Sequence, residues 1–337
     1  MYLENPVFNA RYIEPNISWY VSYFRGNRGI ARVWREPITW VLKKFFLKSY
    51  FQKRVAQGKV DIPYLELVLT TKCTLRCESC NNLMQYFSSK NQYTCTLEGI
   101  LESLDCLLEN VESIQRLRII GGEPLMFKDL PQLVAALEQR EKVRSFDVLT
   151  NGTIGFKEAL LQEIKKAKKF RKVSISDYSN APNLKIPLKQ ESIFKSLKAY
   201  KIPYSFLTGG IWYKVEKIYK RNRTKEGIIA NFHACGMSCV SLMSGDVRKN
   251  QSKVKAGGGA IFVCPIASSL SKLKGIEEFS GDYIALEKGD LRDRIFSFYA
   301  QDFFKSCDYC QDWSKPKENI PAAIQADSVL EIGEDRD

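Results

Sequence analysis

The sequence predicts an α/β fold in which parallel strands carry helices on their outer faces. Two observations predict it. From Asp61 to Leu207, short β-rich runs alternate with segments of helical apolar spacing. Polar or glycine-rich motifs also fall repeatedly just after the strand-like runs, where parallel α/β folds place their chemistry. The elements follow in order. Tyr64–Thr71 is β-rich and feeds directly into a cysteine loop. Thr96–Val111 has helical spacing through Leu97, Ile100, Leu101, Leu104, Leu107 and Leu108. Leu117–Ile120 is a short apolar strand ending in Gly121-Gly122-Glu123-Pro124. Asp129 starts a helix through Leu137, with Gln132 three residues on in a capping-box-like arrangement. Ser145–Leu149 is a third strand, ending in Thr150-Asn151-Gly152-Thr153. A helix from Lys157 to Lys169, a strand Lys172–Ser176, a helix from about Lys189 to Tyr200 and a strand Tyr204–Leu207 complete the series. Beyond Gly209 the alternation fails.

Size and composition set bounds on function. The 337 residues suffice for one large domain and a smaller one, and 45% apolar with 12% aromatic residues can fill a core. No run of eighteen apolar residues occurs, and the start Met-Tyr-Leu-Glu-Asn-Pro lacks a secretory pattern, so the expected location is the cytoplasm. The net charge of +13 is uneven: residues 1–60 carry eleven Lys or Arg against three Glu, a net +8, leaving +5 for the other 277. Between Ile38 and Phe51 large apolar residues interleave with Lys43, Lys44 and Lys48. That stretch reads first as a helical collar packed on the main domain, with an anionic membrane surface, and hence a membrane-peripheral protein, as the alternative. No nucleic-acid recognition motif accompanies the charge, and no nucleic-acid partner is expected.

Three cysteines in Thr-Lys-Cys73-Thr-Leu-Arg-Cys77-Glu-Ser-Cys80 carry most of the functional information. Three thiolates can hold a [4Fe-4S] cluster while leaving one iron open for a substrate or cofactor. A structural zinc ion would want a fourth ligand nearby, and none follows within a dozen residues. At CxxxCxxC spacing, followed by Gly121-Gly122-Glu123-Pro124 about 40 residues later, the chain resembles the radical S-adenosylmethionine (SAM) superfamily over residues 60–315.

The resemblance implies a partial (β/α)6 barrel over residues 61–209; the charge pattern of residues 1–60 reads as a basic helical N-terminal extension before it. It also implies that the open iron chelates SAM, and that a 5′-deoxyadenosyl radical then takes hydrogen from substrate. Gly121 and Gly122 would let backbone approach SAM, through absence of a side chain and tolerance of positive φ. Glu123 would accept from the SAM ammonium group. Asn151 and Ser176 would face the barrel mouth, within reach of the SAM ribose or carboxylate; as plain turn and cap residues they also suit their positions. Asp177 and Tyr178 are candidate substrate contacts. One departure stands out: many members place an aromatic residue before the third cluster cysteine, and here it is Ser79.

The later cysteines form a second group. Residues 210–320 read as a separate cysteine-rich module and 321–337 as a tail. Five cysteines lie beyond the barrel, enough for one fully ligated auxiliary cluster. This resembles the twitch form of the SPASM extension, with Cys239 and Cys264 flanking a hairpin and Cys307 and Cys310 closing the site. A four-cysteine zinc site fits the same spacing. Cys235 is then left over, either replacing Cys239 as ligand or serving as hydrogen donor to a substrate radical. Cys106 falls on the apolar side of its helix, where core packing is its expected role. A lone histidine, His233, excludes a His-pair metal site. The weaker resemblance is to members acting in cell-surface polysaccharide and sugar biosynthesis. It implies oxidation or epimerisation of a small-molecule or glycan substrate and a reductase or flavodoxin-type electron donor. A peptide maturase and a non-catalytic iron–sulfur or zinc scaffold are the rival readings.

Overall fold

A computed structural model describes residues 2–26, 46–207, 211–235, 241–243, 258–287 and 289–333. Cys239, residues 38–45 of the basic aromatic stretch and the polar insert at 244–257 lie outside these described residues.

The N-terminal residues are helical because Asn5 caps the turn Pro6–Phe8, its Oδ1 accepting from Val7 N and Phe8 N at 2.8 and 3.1 Å. A π-helical turn, Asn9–Ile13, leads into α1 (Glu14–Gly26), and α2 (Lys48–Ala56) follows. Phe8, Tyr12 and Ile13 are fully buried, and Phe8 and Tyr12 pack edge-on against Phe296 at centroid distances of 5.8 and 5.6 Å. The start of the chain is thus a collar seated on the main body. Phe51 is buried with it, whereas Phe46 and Tyr50 stay exposed.

The alternating series then appears within a few residues of expectation: β1 (Leu65–Val68), α3 (Leu97–Asn110), β2 (Leu117–Ile120), α4 (Leu130–Gln139), β3 (Phe146–Thr150), α5 (Glu158–Lys166), β4 (Phe170–Ser176), α6 (Gln190–Ala199) and β5 (Tyr204–Leu207). Thr96 caps α3 by accepting from Gly99 N at 3.0 Å, and Ile100, Leu104 and Leu107 bury its apolar stripe. The capping box at Asp129 does not form. Asp129 lies outside the extended region and its side chain caps nothing, so its carbonyl alone takes the Leu133 N–H at 3.0 Å.

The sheet does not stop where the alternation does. After β6 (Ile211–Tyr213) and α7 (Lys225–Ala234), β7 (Ser241–Met243) pairs parallel with β1 on its free edge. It is followed by antiparallel β8 (Ala260–Phe262), then α8 (Pro265–Lys274) and β9 (Tyr283–Ala285), which pairs antiparallel with β8. The order is β9-β8-β7-β1-β2-β3-β4-β5, with β1 to β5 and β7 parallel. The sixth parallel strand therefore lies beside the first rather than beyond the fifth. The reading of residues 210–320 as a separate module is corrected in the same way, because three of their strands extend the main sheet. α9 (Arg292–Ala300) packs under the collar, and β10 (Asn319–Pro321) pairs antiparallel with β6.

Parallel strands covered on both sides are buried throughout, and β1 is buried at all four positions, Glu66 included. Glu66, Arg118 and Asp147 are register partners across β1, β2 and β3, a polar row on the face opposite Leu65, Leu117 and Phe146. Asp147 is fully buried and accepts from both Arg116 and Arg118, the latter at 2.7 Å. Arg116 also lies over Trp19 at 4.6 Å, which ties α1 to the base of the sheet. Asp147→Ala would leave two guanidinium groups short of their carboxylate. It is expected to cost about 3–5 kcal/mol, read as a lower urea midpoint with an unchanged slope.

Candidate active site

The loop leaving β1 places Cys73, Cys77 and Cys80 on one wall of a cavity of about 910 Å³. Thr70 and Thr71 shape the approach: Thr70 Oγ1 accepts from Lys72 N at 3.0 Å, and Thr71 Oγ1 accepts from Tyr93 N at 2.8 Å. Burial pushes the Cys73 thiol up to about 12 and raises Cys77 and Cys80 as well. The charges of Cys73 and Cys80 raise Cys77 further, so the three sulfurs share one field. Such thiols lose their protons only to a strongly bound cation, and metal loading must displace those protons. Among the described residues, no three His, Cys, Asp or Glu side chains gather as closely as a single ion requires. Three thiols that share one field suit a cluster whose irons occupy separate corners.

The motif after β2 supports this loop from beneath. Gly122 N donates to Thr70 O at 2.7 Å and Glu123 N to Lys72 O at 2.9 Å, so the two strand ends are laced backbone to backbone. A Cβ on Gly121 would stand 2.5 Å from Thr70 O, and one on Gly122 would collide with Lys72 O. Neither glycine has positive φ. Their lack of a side chain serves the contact with the cysteine loop, which corrects the expectation of positive φ, while both still line the cavity.

Glu123 is fully buried and is not on the cavity wall. Its Oε1 accepts from Leu125 N at 3.0 Å and Thr150 Oγ1 at 2.9 Å, and its Oε2 from Asn151 N at 2.8 Å. Burial lifts this carboxyl to about 7 against the opposing pull of those three donors. In this arrangement the carboxylate joins the ends of β2 and β3. Asn151, held by it, donates to Thr74 Oγ1 at 3.0 Å and reaches Cys73 Sγ at 3.5 Å. Gly152 supplies the positive φ, +77°, that the Asn-Gly turn needs.

Ser176 and Tyr178 line the same cavity after β4, and burial raises the Tyr178 hydroxyl well above its usual range beside the three cysteines. Asp177 turns away, its Oδ1 accepting from Ser179 N at 3.1 Å in a local turn. Ser79 is buried and accepts from Val215 N at 3.1 Å. Aromatic surface comes instead from Tyr178, Trp212, Tyr213 and Trp313 on the cavity wall, with Tyr178 edge-on to Trp212 at 5.5 Å.

Cys235, Cys264, Cys307 and Cys310 line a second, smaller and apolar pocket. Cys264 is the N-cap of α8, its Sγ accepting from Ala267 N at 3.4 Å. Burial raises Cys264 and Cys307, and lifts Cys310 to about 12. Cys235 lines this pocket with the other three sulfurs and does not line the large cavity. Cys239, outside the described residues, has no part in this geometry. Cys106, half-buried against the main core, donates to Glu287 O at 3.5 Å. His233 pairs with Asp302 at 3.0 Å, away from both pockets.

Sequence reading missed three supports. Arg223 donates to the carbonyls of Cys307, Asp308 and Cys310 at 3.2, 3.1 and 2.9 Å, and Asn231 donates to Cys307 O at 3.1 Å. Arg11 from the collar lies between Phe232 and Phe304, 5.2 Å from each centroid, and burial lowers it to about 10 while the charges of Cys307 and Cys264 oppose that fall. No local pattern marks such long-range contacts.

Replacing Glu123 by alanine would strand the Asn151 and Leu125 N–H groups. The expected loss is about 2–4 kcal/mol in the apoprotein by urea unfolding, with poorer iron uptake because Asn151 no longer positions Cys73. Alanine at Asn151 should spare more of the stability while still impairing uptake.

Comparison with known proteins agrees with this geometry. The family model of the Radical SAM superfamily matches residues 67–202. A GTP 3′,8-cyclase of Syntrophomonas wolfei is 32% identical over 113 residues, covering 32% of each chain. The corresponding protein of Helicobacter pylori strain HPAG1 is 31% identical over 144 residues, 41% of this chain and 44% of that one. The match thus spans less than half the length of either relative. Among solved structures, native anSMEcpe with bound AdoMet and a peptide aligns over 44% of each chain with a TM-score of 0.33 and 19% identity. Residues 67–202, which carry the three cysteines of the cavity wall, are thus similar to the Radical SAM superfamily, over about two-fifths of the chain.

Proposed function

We propose that this protein is a radical SAM enzyme acting on a small molecule that carries a sugar or a nucleotide, with a second cluster in the C-terminal pocket. The observation that carries the reading is the single cavity. The three thiols occupy one part of its wall, Gly121, Gly122, Asn151 and Ser176 another, and an aromatic rim a third. Cys73, Cys77 and Cys80 would hold the first cluster, and the glycines, Asn151 and Ser176 would border SAM. When bound, cluster and SAM together supply a 5′-deoxyadenosyl radical, after one electron from an external reductase has split SAM and released methionine.

The chain's own residues select what meets that radical. Pockets of about 300–1,000 Å³ hold one drug-sized ligand, and this cavity of about 910 Å³ is at the upper end, room for a second ligand beside SAM. Trp212, Tyr213 and Trp313 offer ring faces for a base or sugar, and Lys317 at the rim can meet an anionic group, while Arg118 deeper in the wall is paired with Asp147 beside Glu66. The curated relatives are named for GTP, which supports a nucleotide-bearing substrate.

Cys264, Cys307 and Cys310, with Cys235 in place of Cys239, would ligate the second cluster. Asn81, Pro265 and Trp313 line both pockets, so the second site adjoins the first and is placed to exchange an electron with it.

Anaerobic reconstitution with iron and sulfide, followed by dithionite and SAM, should release 5′-deoxyadenosine, and Cys77→Ala should abolish it. Release no greater than that of the variant would overturn the enzymatic reading in favour of a metal-binding scaffold. Adding GTP, UDP-sugars or short peptides in separate arms should raise the yield only for the class that fits. The Cys73/Cys77/Cys80 triple alanine variant should keep about four irons per chain, the content of one cubane.

A further inference from the structure

The segment after β10 is not a tail. Residues 322–327 run as a strap along the loop that carries the cysteine triad. Cys77 and Gln325 form an antiparallel bridge, Glu78 N donates to Ile324 O and Ala326 N to Arg76 O, both at 2.8 Å. Ala323 is fully buried against Leu75 and Cys77, in a left-handed conformation at φ +60° that alanine rarely adopts. From the other side, Asn183 grips the backbone of Gln325, accepting from its N at 2.8 Å and donating to its O at 2.9 Å.

The side chain of Gln325 is oriented by its partners. Oε1 accepts from Arg76 N at 2.8 Å, and Nε2 donates to Ala323 O at 2.6 Å, a carbonyl that can only accept. The amide cannot be flipped without opposing donor to donor and acceptor to acceptor. Its remaining N–H is directed at Cys77 Sγ, 3.4 Å away, and both residues are buried.

The geometry points to Gln325 as a positioning residue that holds Cys77 and tunes the triad's cluster through an N–H···S hydrogen bond, with the strap closing that side to water. The inference rests on the triad holding a cluster. Hydrogen bonds to cluster sulfurs and exclusion of solvent both set reduction potentials. A donor aimed at a ligating thiolate favours the reduced, more negative cluster, so its loss moves the potential down.

The test uses the full chain, reconstituted in a Cys264→Ser, Cys307→Ser, Cys310→Ser background so that the triad is the cluster site observed. Gln325→Met should lower the midpoint by up to about tenfold in the reduction constant, 59 mV for one electron. Gln325→Glu keeps the acceptor for Arg76 but replaces the donor with charge, and should lower it further; it stands in if the methionine variant fails to fold. Asn183→Ala, which loosens the strap and keeps the amide, should speed iron loss to a chelator several-fold. A loaded Gln325→Met or Gln325→Glu protein with the parent midpoint would overturn this inference alone. A parent protein that takes up no iron at the triad would overturn the functional reading, and this inference with it.

Discussion

The buried carboxylate of Glu123 joins the ends of two strands to the loop that carries the cysteine triad. It accepts from the end of β3 through Thr150 and Asn151 and from its own following turn through Leu125. Its backbone N–H meanwhile binds the cysteine loop at Lys72. Three segments distant along the chain are thereby held in one register. The energetic logic is asymmetric: each bond contributes modestly, but a buried donor left without an acceptor costs its full desolvation. The same logic explains Gly121 and Gly122, where any side chain would separate the two backbones that the motif exists to join.

A second theme is the return of the chain on itself. β7 pairs with the free edge of β1, helix α8 begins at Cys264, and residues 322–327 bridge back to Cys77. The collar enters from the opposite end, placing Arg11 among four aromatic rings beside the C-terminal cysteines. Each cysteine group is therefore supported by residues from remote parts of the chain. Burial that raises the thiols also shields whatever they hold, an environment in which hydrogen bonds to sulfur carry more weight than in water.

The sequence was legible where the signal is local. The five strands β1 to β5 with their four intervening helices, the cysteine triad and the motifs at the strand ends follow from periodicity and spacing that survive in any context. Failures occurred where a residue type serves several ends. Asp129 reads as a cap and caps nothing, and Gly121 and Gly122 read as positive-φ residues and instead make room for the cysteine loop.

By itself, the amino-acid order determined the layered α/β core, the chemistry available at its strand ends and the number of thiols that metal could claim, because these depend on residue type and short spacing. Tertiary structure alone decided that Ser241–Met243, Ala260–Phe262 and Tyr283–Ala285 join the main sheet, that Cys235 shares a pocket with Cys264, Cys307 and Cys310, and that Gln325 points at Cys77. Those outcomes depend on strand edges and buried polar groups finding partners far along the chain. A hydrogen bond spanning 248 positions leaves no periodicity to read.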